Sequence, residues 1–416
     1  MRRTTLALSL SLTLGACSDP APTASDTAPA ADAATQPGAA AAEESASATP
    51  VASSGVSAPH GAPAPATPSR VEVTEFATGL ENPWSLAFLP DGRMLVTERP
   101  GRLRYIAADG TLSEPIANTP AVFAIGQGGL LDVAVSPGFA SDRTVYLTYA
   151  EPDASGNNAG TAAIRATLVD NALQNVRQIF RQEPKLSRGA HFGSRIVFDG
   201  NGHLFIALGE NGERAASQRL DHLQGKIVRL ALDGSIPADN PFVGRSDARA
   251  EIWSYGHRNQ QGAALHPVTG QLWTHEHGPR GGDEINIPQR AANYGWPLAT
   301  YGINYSGAPI LESVGTAVAG TEQPHYYWEQ SPGVSGMAFY TADRFPAWNG
   351  SLFVGSMAQR ELIRLQLDGD RIVAEERLLS ERRWRIRDVR QGPDGYIYVV
   401  TDEADGKVLK IGLDDA

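Results

Sequence analysis

Four short segments carry residue types whose spacing could do chemistry. In Gly189-Ala190-His191-Phe192-Gly193-Ser194-Arg195 a histidine sits in a glycine-flanked loop just before the apolar run Ile196-Val197-Phe198. Imidazole titrates near neutrality and can take a proton from a hydroxyl, so His191 is a candidate general base. Taken alone, the segment reads more simply as a surface loop. In Gly256-His257-Arg258-Asn259 a planar cation stands beside an amide at the mouth of a strand. That pair suits a ligand bearing carboxylates and carbonyl oxygens, and an arginine salt-bridged to a neighbouring element is the competing account. The run Thr274-His275-Glu276-His277-Gly278-Pro279-Arg280-Gly281-Gly282-Asp283-Glu284 offers two histidines two apart on one strand face, which invites zinc. No third nitrogen or sulfur ligand has motif spacing nearby, whereas bare Gly and Pro carbonyls with Asp283 and Glu284 form the hard oxygen set that favours calcium. Finally, Arg385 and Arg387 alternate in Arg382-Arg383-Trp384-Arg385-Ile386-Arg387-Asp388 and so point to one strand face. Two converging guanidinium groups suit a polyanionic ligand, and a solvated basic strand is the alternative.

The elements that must hold these segments recur along the chain. Trp84-Ser85-Leu86-Ala87-Phe88, the turn Pro90-Asp91-Gly92 and Met94-Leu95-Val96 form a hairpin signature with its turn chemistry. Like units span 131–149, 196–208, 262–273, 337–354 and 389–399. Six units at unequal spacing, almost without helical periodicity, predict an all-β fold: a six-bladed β-propeller with four-stranded antiparallel blades and long insertions. In a propeller the candidate segments fall on loops around one central channel, where several blades converge.

The N-terminal end of the chain is of another kind. Arg2 and Arg3 precede the apolar run Leu6 to Leu14, then Gly15, Ala16 and Cys17, the pattern of a secretory signal over residues 1–16. The run is too short for a bilayer span, which needs roughly 20 apolar residues. Leu14-Gly15-Ala16-Cys17 resembles the bacterial lipobox, which implies cleavage before Cys17, lipidation of its thiol and anchoring to a membrane; an ordinary signal peptide is the alternative. Cys17 is the only cysteine, so no internal disulfide is possible. Residues 17–70 collapse to Ala, Pro, Ser, Thr and Gly and are expected to be a disordered tether. About 50 such residues reach roughly 40 Å, with the globular domain spanning 71–416. A net charge of −11 without a basic patch argues against nucleic acid and anionic lipid as partners.

The segments Gly126-Gln127-Gly128-Gly129-Leu130-Leu131-Asp132, His191-Phe192-Gly193, Gly256-His257-Arg258-Asn259, Glu276-His277-Gly278-Pro279 and Arg385-Ile386-Arg387-Asp388 stand in the order seen in the soluble quinoprotein aldose and glucose dehydrogenases. The resemblance covers nearly all of 71–415. Asn304-Tyr305-Ser306-Gly307 and Ser335-Gly336-Met337-Ala338-Phe339-Tyr340 bring it closer to the bacterial aldose sugar dehydrogenases. It implies oxidation of aldose sugars to lactones with pyrroloquinoline quinone (PQQ) and Ca²⁺. Carried over by position, His191 is the base and Arg258 polarises the quinone carbonyl. Gln127, Arg258, Asn259, Tyr305, Arg385, Ile386 and Arg387, with the backbone of Ser356, Met357 and Ala358, surround the quinone. The carbonyls of Gly278 and Pro279 would hold the catalytic calcium, and Glu284 with the backbone of Tyr294 a second, structural one.

This sequence departs from the glucose dehydrogenase pattern at two places. The acid that precedes the histidine there is Ala190 here, removing a group that could raise the basicity of His191, and a cofactor-binding lysine is Ala358, which deprives the pocket of a cation. The electron acceptor is not identified by the sequence, and a lone Cys17 provides no c-type haem attachment. A periplasm-facing lipoprotein of the outer membrane, monomeric or homodimeric, is the expectation for location and assembly. Two rivals stand beside this reading, a calcium-dependent propeller lactonase and a non-catalytic binding scaffold.

Overall fold

The computed structural model describes residues 57–414, and in it each expected hairpin is the inner half of one blade of a six-bladed propeller. Blade 1 comprises Pro83–Phe88, Met94–Glu98 and Arg102–Ile106; blade 2, Leu130–Val135, Thr144–Pro152, Ala159–Val169 and Ala172–Arg181; blade 3, Gly193–Phe198, His203–Leu208, Lys226–Ala231 and Ile252–Tyr255. Blade 4 comprises Gln260–Leu265, Leu272–Glu276, Asp283–Asn286 and Tyr326–Trp328; blade 5, Val334–Phe339, Leu352–Ser356, Glu361–Asp368 and Arg371–Leu378. Blade 6 comprises Ile386–Gln391, Ile397–Thr401 and Gly406–Leu413, and its outer strand is the N-terminal Val71–Leu80, paired from Val71 opposite Leu413 to Leu80 opposite Gly406. That pairing ties both ends of the domain into one sheet and closes the ring, leaving no unprotected seam.

Neighbouring pairs within the blades are antiparallel. Blade 1 departs from four strands. Its outer edge is only a bridge between Ile106 and Leu112, continued by Ile116 N donating to Leu103 O. Pro115 and Pro120 deny this stretch a regular ladder. Apolar side chains fill the wedges between blades: Leu95 and Leu103 of blade 1 pack with Leu130, Leu147 and Ile164 of blade 2, all buried. Each such side chain stabilises the fold by about 1.5–3 kcal/mol.

The innermost strands ring the channel in sequence order and are irregular at the same end. A register shift interrupts each pairing there, between Pro83 and Ser85, Leu130 and Val133, Gln260 and Gly262, Val334 and Met337, and Ile386 and Asp388, and between Ile206 and Leu208 opposite the blade 3 inner strand. Bulges re-aim side chains, and these deliver Trp84, Gln261 and Arg387 to the channel mouth. Deeper in, Arg195 bonds Asp132 (2.9 Å) and approaches Asp388 (3.1 Å), and Arg390 bonds the same two acids (3.1 and 2.9 Å). Two cations thus balance two anions at the centre of the ring.

The leader, Cys17 and the expected tether as far as residue 56 lie outside the described residues. Residues 57–70, also counted with the tether, are laid along the outside of blades 4 and 5. Tyr327 N donates to Pro59 O (3.0 Å), Glu375 N to Pro63 O (2.8 Å), and Ser69 Oγ to Glu376 (2.8 Å). An extended Pro-rich chain has little ordering entropy to lose, so composition alone does not keep it free. No helix among the described residues is long and apolar enough to cross a membrane.

Candidate active site

His191 sits in the loop entering blade 3 with a left-handed backbone, φ +54°, between Gly189 and Gly193 at φ +61° and +64°. Such a conformation is uncommon for a side-chain-bearing residue and has to be held by its surroundings. Asn211 supplies that hold, its Nδ2 donating to the carbonyls of Ala190 (3.2 Å) and His191 (3.0 Å). Gly209 admits the loop, because a Cβ there would lie 1.9 Å from His191 O. His191 N donates to Gln127 Oε1 (2.8 Å), which fixes the histidine to the loop before blade 2.

The imidazole is not without an acid. His191 Nδ1 lies 2.6 Å from Glu210 Oε2, and Glu210 is buried at the end of the second strand of blade 3. An ionised carboxylate only accepts, so Nδ1 carries the hydrogen and Nε2 keeps its lone pair for an incoming hydroxyl. The acid missing at position 190 is therefore supplied by Glu210, 19 residues beyond His191. Sequence reasoning passed over Glu210 because its approach depends on two loops meeting across the sheet.

Two connected spaces open beside the loop that carries this histidine, at the bulged end of the channel; Gln127, Phe192 and Gly193 line the inner one, and His191 itself is not among the lining residues of either. The inner one, about 260 Å³, is lined by Trp84, Arg99, Gln127, Gln261, Arg387 and Asp402, among others. The outer one, about 1010 Å³, shares Gln127, His277, Met357 and Arg385 with it and extends to Gly278, Pro279, Tyr301 and Tyr305. Arg385 and Arg387 converge as expected, for both bond Asp402 Oδ2, at 3.1 and 2.9 Å. Strand alternation is not the reason: Arg385 precedes the strand, and the bulge at Arg387 turns its side chain. Burial would raise the Asp402 carboxyl, but the charges of Arg387 and Arg385 outweigh it and hold the group below its ordinary range. Arg387 itself is lowered by burial, with Asp402 opposing.

Arg99 lines the inner space while donating to the carbonyls of Gly128 (3.1 Å) and Gly126. It adds a cation at the mouth that lacks one at Ala358. Arg258 is buried, its guanidinium donating to His277 O (3.1 Å) and lying 5.3 Å from the Trp296 ring centroid. Among the described residues no carboxylate salt-bridges it, which disfavours the neighbouring-blade account. Asn259 is linked through Gln261 to Arg387, with Gln261 Nε2 donating to Asn259 Oδ1 (3.1 Å) and Arg387 donating to Gln261 Oε1 (3.2 Å). Three buried polar atoms of this network have no partner: Arg258 Nε, Arg387 Nε and Asp402 Oδ1. Unmade hydrogen bonds of this kind cost about 1–3 kcal/mol each; a ligand with anionic oxygens fits the two arginine donors, while Asp402 Oδ1 is an acceptor that calls for a donor group.

The loop 277–283 forms the wall of the outer space. Asp283 holds it in shape, accepting from Gly278 N (3.0 Å), Gly333 N (2.8 Å) and Val334 N (3.1 Å). That leaves the carbonyls of Gly278 and Pro279 as wall oxygens for a hard cation. Behind them a small cleft is lined by Gly278, Glu276, Glu284 and Tyr294. Asn286 Nδ2 reaches both carboxylates, Glu276 at 3.1 Å and Glu284 at 3.4 Å. The Glu284 carboxyl is pushed well above its usual range by burial and then by the charge of Glu276. Glu276 also lies 2.9 Å from His257 Nδ1 and accepts from Arg258 N, whereas Glu284 has Asn286 as its one side-chain partner among the described residues, and a calcium ion would fit at Glu284. The two histidines do not act together. His275 is buried and held at about 3 by that burial, its Nδ1 accepting from Gly262 N (3.2 Å). His277 donates from Nε2 to Val334 O (2.6 Å). Zinc has no ligand set here, and among the described residues no group of three His, Cys, Asp or Glu side chains could hold a metal.

Some expected residues stand apart. The Ile386 side chain is buried in the core between blades 5 and 6, leaving only its backbone near the site. Ser356 Oγ donates to Pro332 O (2.6 Å) behind the wall, while Met357 and Ala358 line it. Tyr305 lies at the outer rim, 75% exposed.

The chain is similar to known sugar dehydrogenases in sequence and in fold. The family model described as glucose/sorbosone dehydrogenase matches residues 80–410. The aldose sugar dehydrogenase YliI of Escherichia coli is 55% identical over 349 residues, 83% of this chain and 94% of that protein. A crystal structure of a glucose dehydrogenase is 60% identical with a TM-score of 0.81, covering 82% of this chain and all of that one. The PQQ-bound aldose sugar dehydrogenase of Streptomyces coelicolor is 28% identical with a TM-score of 0.67, covering 83% of this chain and all of that one.

Proposed function

Because the chain belongs to the glucose/sorbosone dehydrogenase family, we propose that it oxidises aldose sugars at the anomeric carbon to lactones, with PQQ and calcium bound at the channel mouth. The observation that carries this is the cluster of cations at the channel mouth: Arg99, Arg385 and Arg387 surround the inner space with Asp402 as the one carboxylate among its lining residues, Arg258 is buried at the adjoining cleft, and the loop beside them carries a histidine whose Nδ1 faces Glu210. Bound there, the quinone and its calcium supply the two-electron redox chemistry that side chains lack.

The chain's own residues do the rest. His191 Nε2 takes the proton of the anomeric hydroxyl, and the Glu210 carboxylate stabilises the imidazolium that results. Arg258, Arg385 and Arg387 hold the cofactor's anionic oxygens, assisted by Asn259 and Gln127, with Ala358 and Met357 as its apolar wall. Arg258 would also offer a donor to a quinone carbonyl oxygen. The carbonyls of Gly278 and Pro279 hold the catalytic calcium, and Glu284 with the Tyr294 carbonyl holds a structural one. An external acceptor must then remove two electrons. Export through residues 1–16 and lipid anchoring at Cys17, facing the periplasm, complete the proposal and rest on the leader pattern.

The lactonase alternative needs free acids in the channel, whereas Asp132 and Asp388 are both paired with Arg195 and Arg390. The test is an absorbance titration of the purified protein with PQQ, with calcium and with a chelator. Saturable, calcium-dependent binding that Arg258→Ala weakens supports the proposal; no binding in either condition overturns it.

A further inference from the structure

The strap 57–63 ends against the wall of the active-site cavity, and this part of the chain lies outside the residues that the family model matches. Ala58 is buried, and its N–H donates to the Tyr301 hydroxyl (2.9 Å). Ala62 N donates to the Tyr326 hydroxyl (3.0 Å), and Tyr327 N donates to Pro59 O (3.0 Å). Tyr301 stacks on Tyr327 at 3.8 Å between ring centroids, and His60 packs on the same Tyr327 at 4.8 Å. His60 Nε2 also comes within 3.6 Å of Glu329, which lines the cavity with Tyr301.

Behind Tyr301 the contacts continue into the loop that carries Gly278 and Pro279. Arg280 and Ile303 exchange backbone hydrogen bonds at 2.9 and 3.0 Å. At Gly302 a Cβ would stand 2.3 Å from Gly281 O and 2.8 Å from Pro279 Cδ, so the two loops are in direct backbone contact. A displacement of Tyr301 is therefore felt at the 278–282 loop, because packed backbones have no slack to absorb it.

We propose that residues 58–63 are a positioning element of the sugar-binding mouth: the strap fixes Tyr301 and Tyr327, and through them the wall formed by 278–282 and 301–305. This deepens the sugar-oxidation reading and rests on it for its kinetic part. It also gives the end of the low-complexity segment a role in substrate binding.

The test uses the full chain. Ala58→Pro with Ala62→Pro removes both strap donors. Ala58→Gly with Ala62→Gly keeps both N–H groups and serves as the conservative control. Hydrogen exchange is measured first. The proline pair should speed exchange at the Tyr327 and Ile303 amides about tenfold or more, and the glycine pair should leave them near wild type. In steady-state assays with glucose, PQQ and calcium, the proline pair should raise KM about 3- to 10-fold, the scale of one or two lost hydrogen bonds, with kcat within about twofold. Tyr301→Phe should raise KM at least as much, because the hydroxyl also donates to Gln323 Oε1 (2.6 Å) and that bond is lost with it. Unchanged exchange and unchanged KM overturn the inference. A wild-type protein without sugar oxidation overturns the functional reading instead, and the exchange result still decides whether the strap holds the wall.

Discussion

Replacing Glu210 by Gln tests the pairing on which the proposed base depends. The substitution preserves size and an acceptor oxygen but removes the charge that faces His191 at 2.6 Å. Charges centred about 4 Å apart interact by about 4 kcal/mol at the effective dielectric of a protein surface. The His191 side chain is 17% exposed and Glu210 only 1%, so solvent screening is modest and about 3 kcal/mol of imidazolium stabilisation is at stake. That corresponds to a fall in kcat of about 10²-fold. The interaction strengthens only as the proton arrives, so KM for the sugar should stay within about threefold. Neither Gln127 nor Asn211 loses its bond to the His191 backbone, so quinone binding should be unchanged. Single-turnover reduction of the bound quinone by glucose, followed by absorbance, is the assay. A Glu210→Gln protein that reduces the quinone within fivefold of wild type refutes the reasoning.

Other perturbations have distinct signatures. His191→Gln should abolish turnover while PQQ still binds; retained turnover removes the base from His191. Arg387→Ala should weaken PQQ binding about 10- to 100-fold, the worth of a charge-assisted hydrogen bond in a buried site, read by absorbance titration. Glu284→Gln should eliminate the rise in melting temperature that calcium gives the wild type, and an undiminished rise would place structural calcium elsewhere. The Glu151 carboxyl is held down at about 2, where Arg181, Lys185 and Gln178 outweigh the opposing effect of burial. Its folded value lies below the unfolded one, so its contribution is present above about pH 4.5 and is lost as pH falls toward 2. The melting-temperature gap between wild type and Glu151→Gln should narrow correspondingly between pH 6 and pH 3.

The blades were legible because each inner hairpin announces itself locally, through alternating apolar residues and a Pro/Asp/Gly turn. The outer strands are less regular. The edge of blade 1, interrupted by prolines, is not a strand at all. The site was legible where chemistry is concentrated in short motifs, as at Arg385 and Arg387 or Gly278 and Pro279. What the structure bears out there is the convergence of Arg385 and Arg387 on Asp402, whereas the calcium role of Gly278 and Pro279 stays a proposal; the site was not legible where partners come from distant loops. Glu210, Asp402 and Arg99 carry no local signal, and each matters only because the ring closes. The prediction for Arg385 and Arg387 reached the correct convergence by the wrong route, since a bulge rather than strand alternation brings them together. Composition misled at 57–70, where Ala and Pro suggest a free chain but backbone groups find partners on Tyr301, Tyr326 and Tyr327.

The most direct measurement is dye-linked oxidation of glucose by the purified apoprotein, with PQQ and calcium added singly and together. Activity that appears only with both is the predicted result. Equal activity without either, or none across a panel of aldoses under all conditions, would contradict quinone-dependent sugar oxidation.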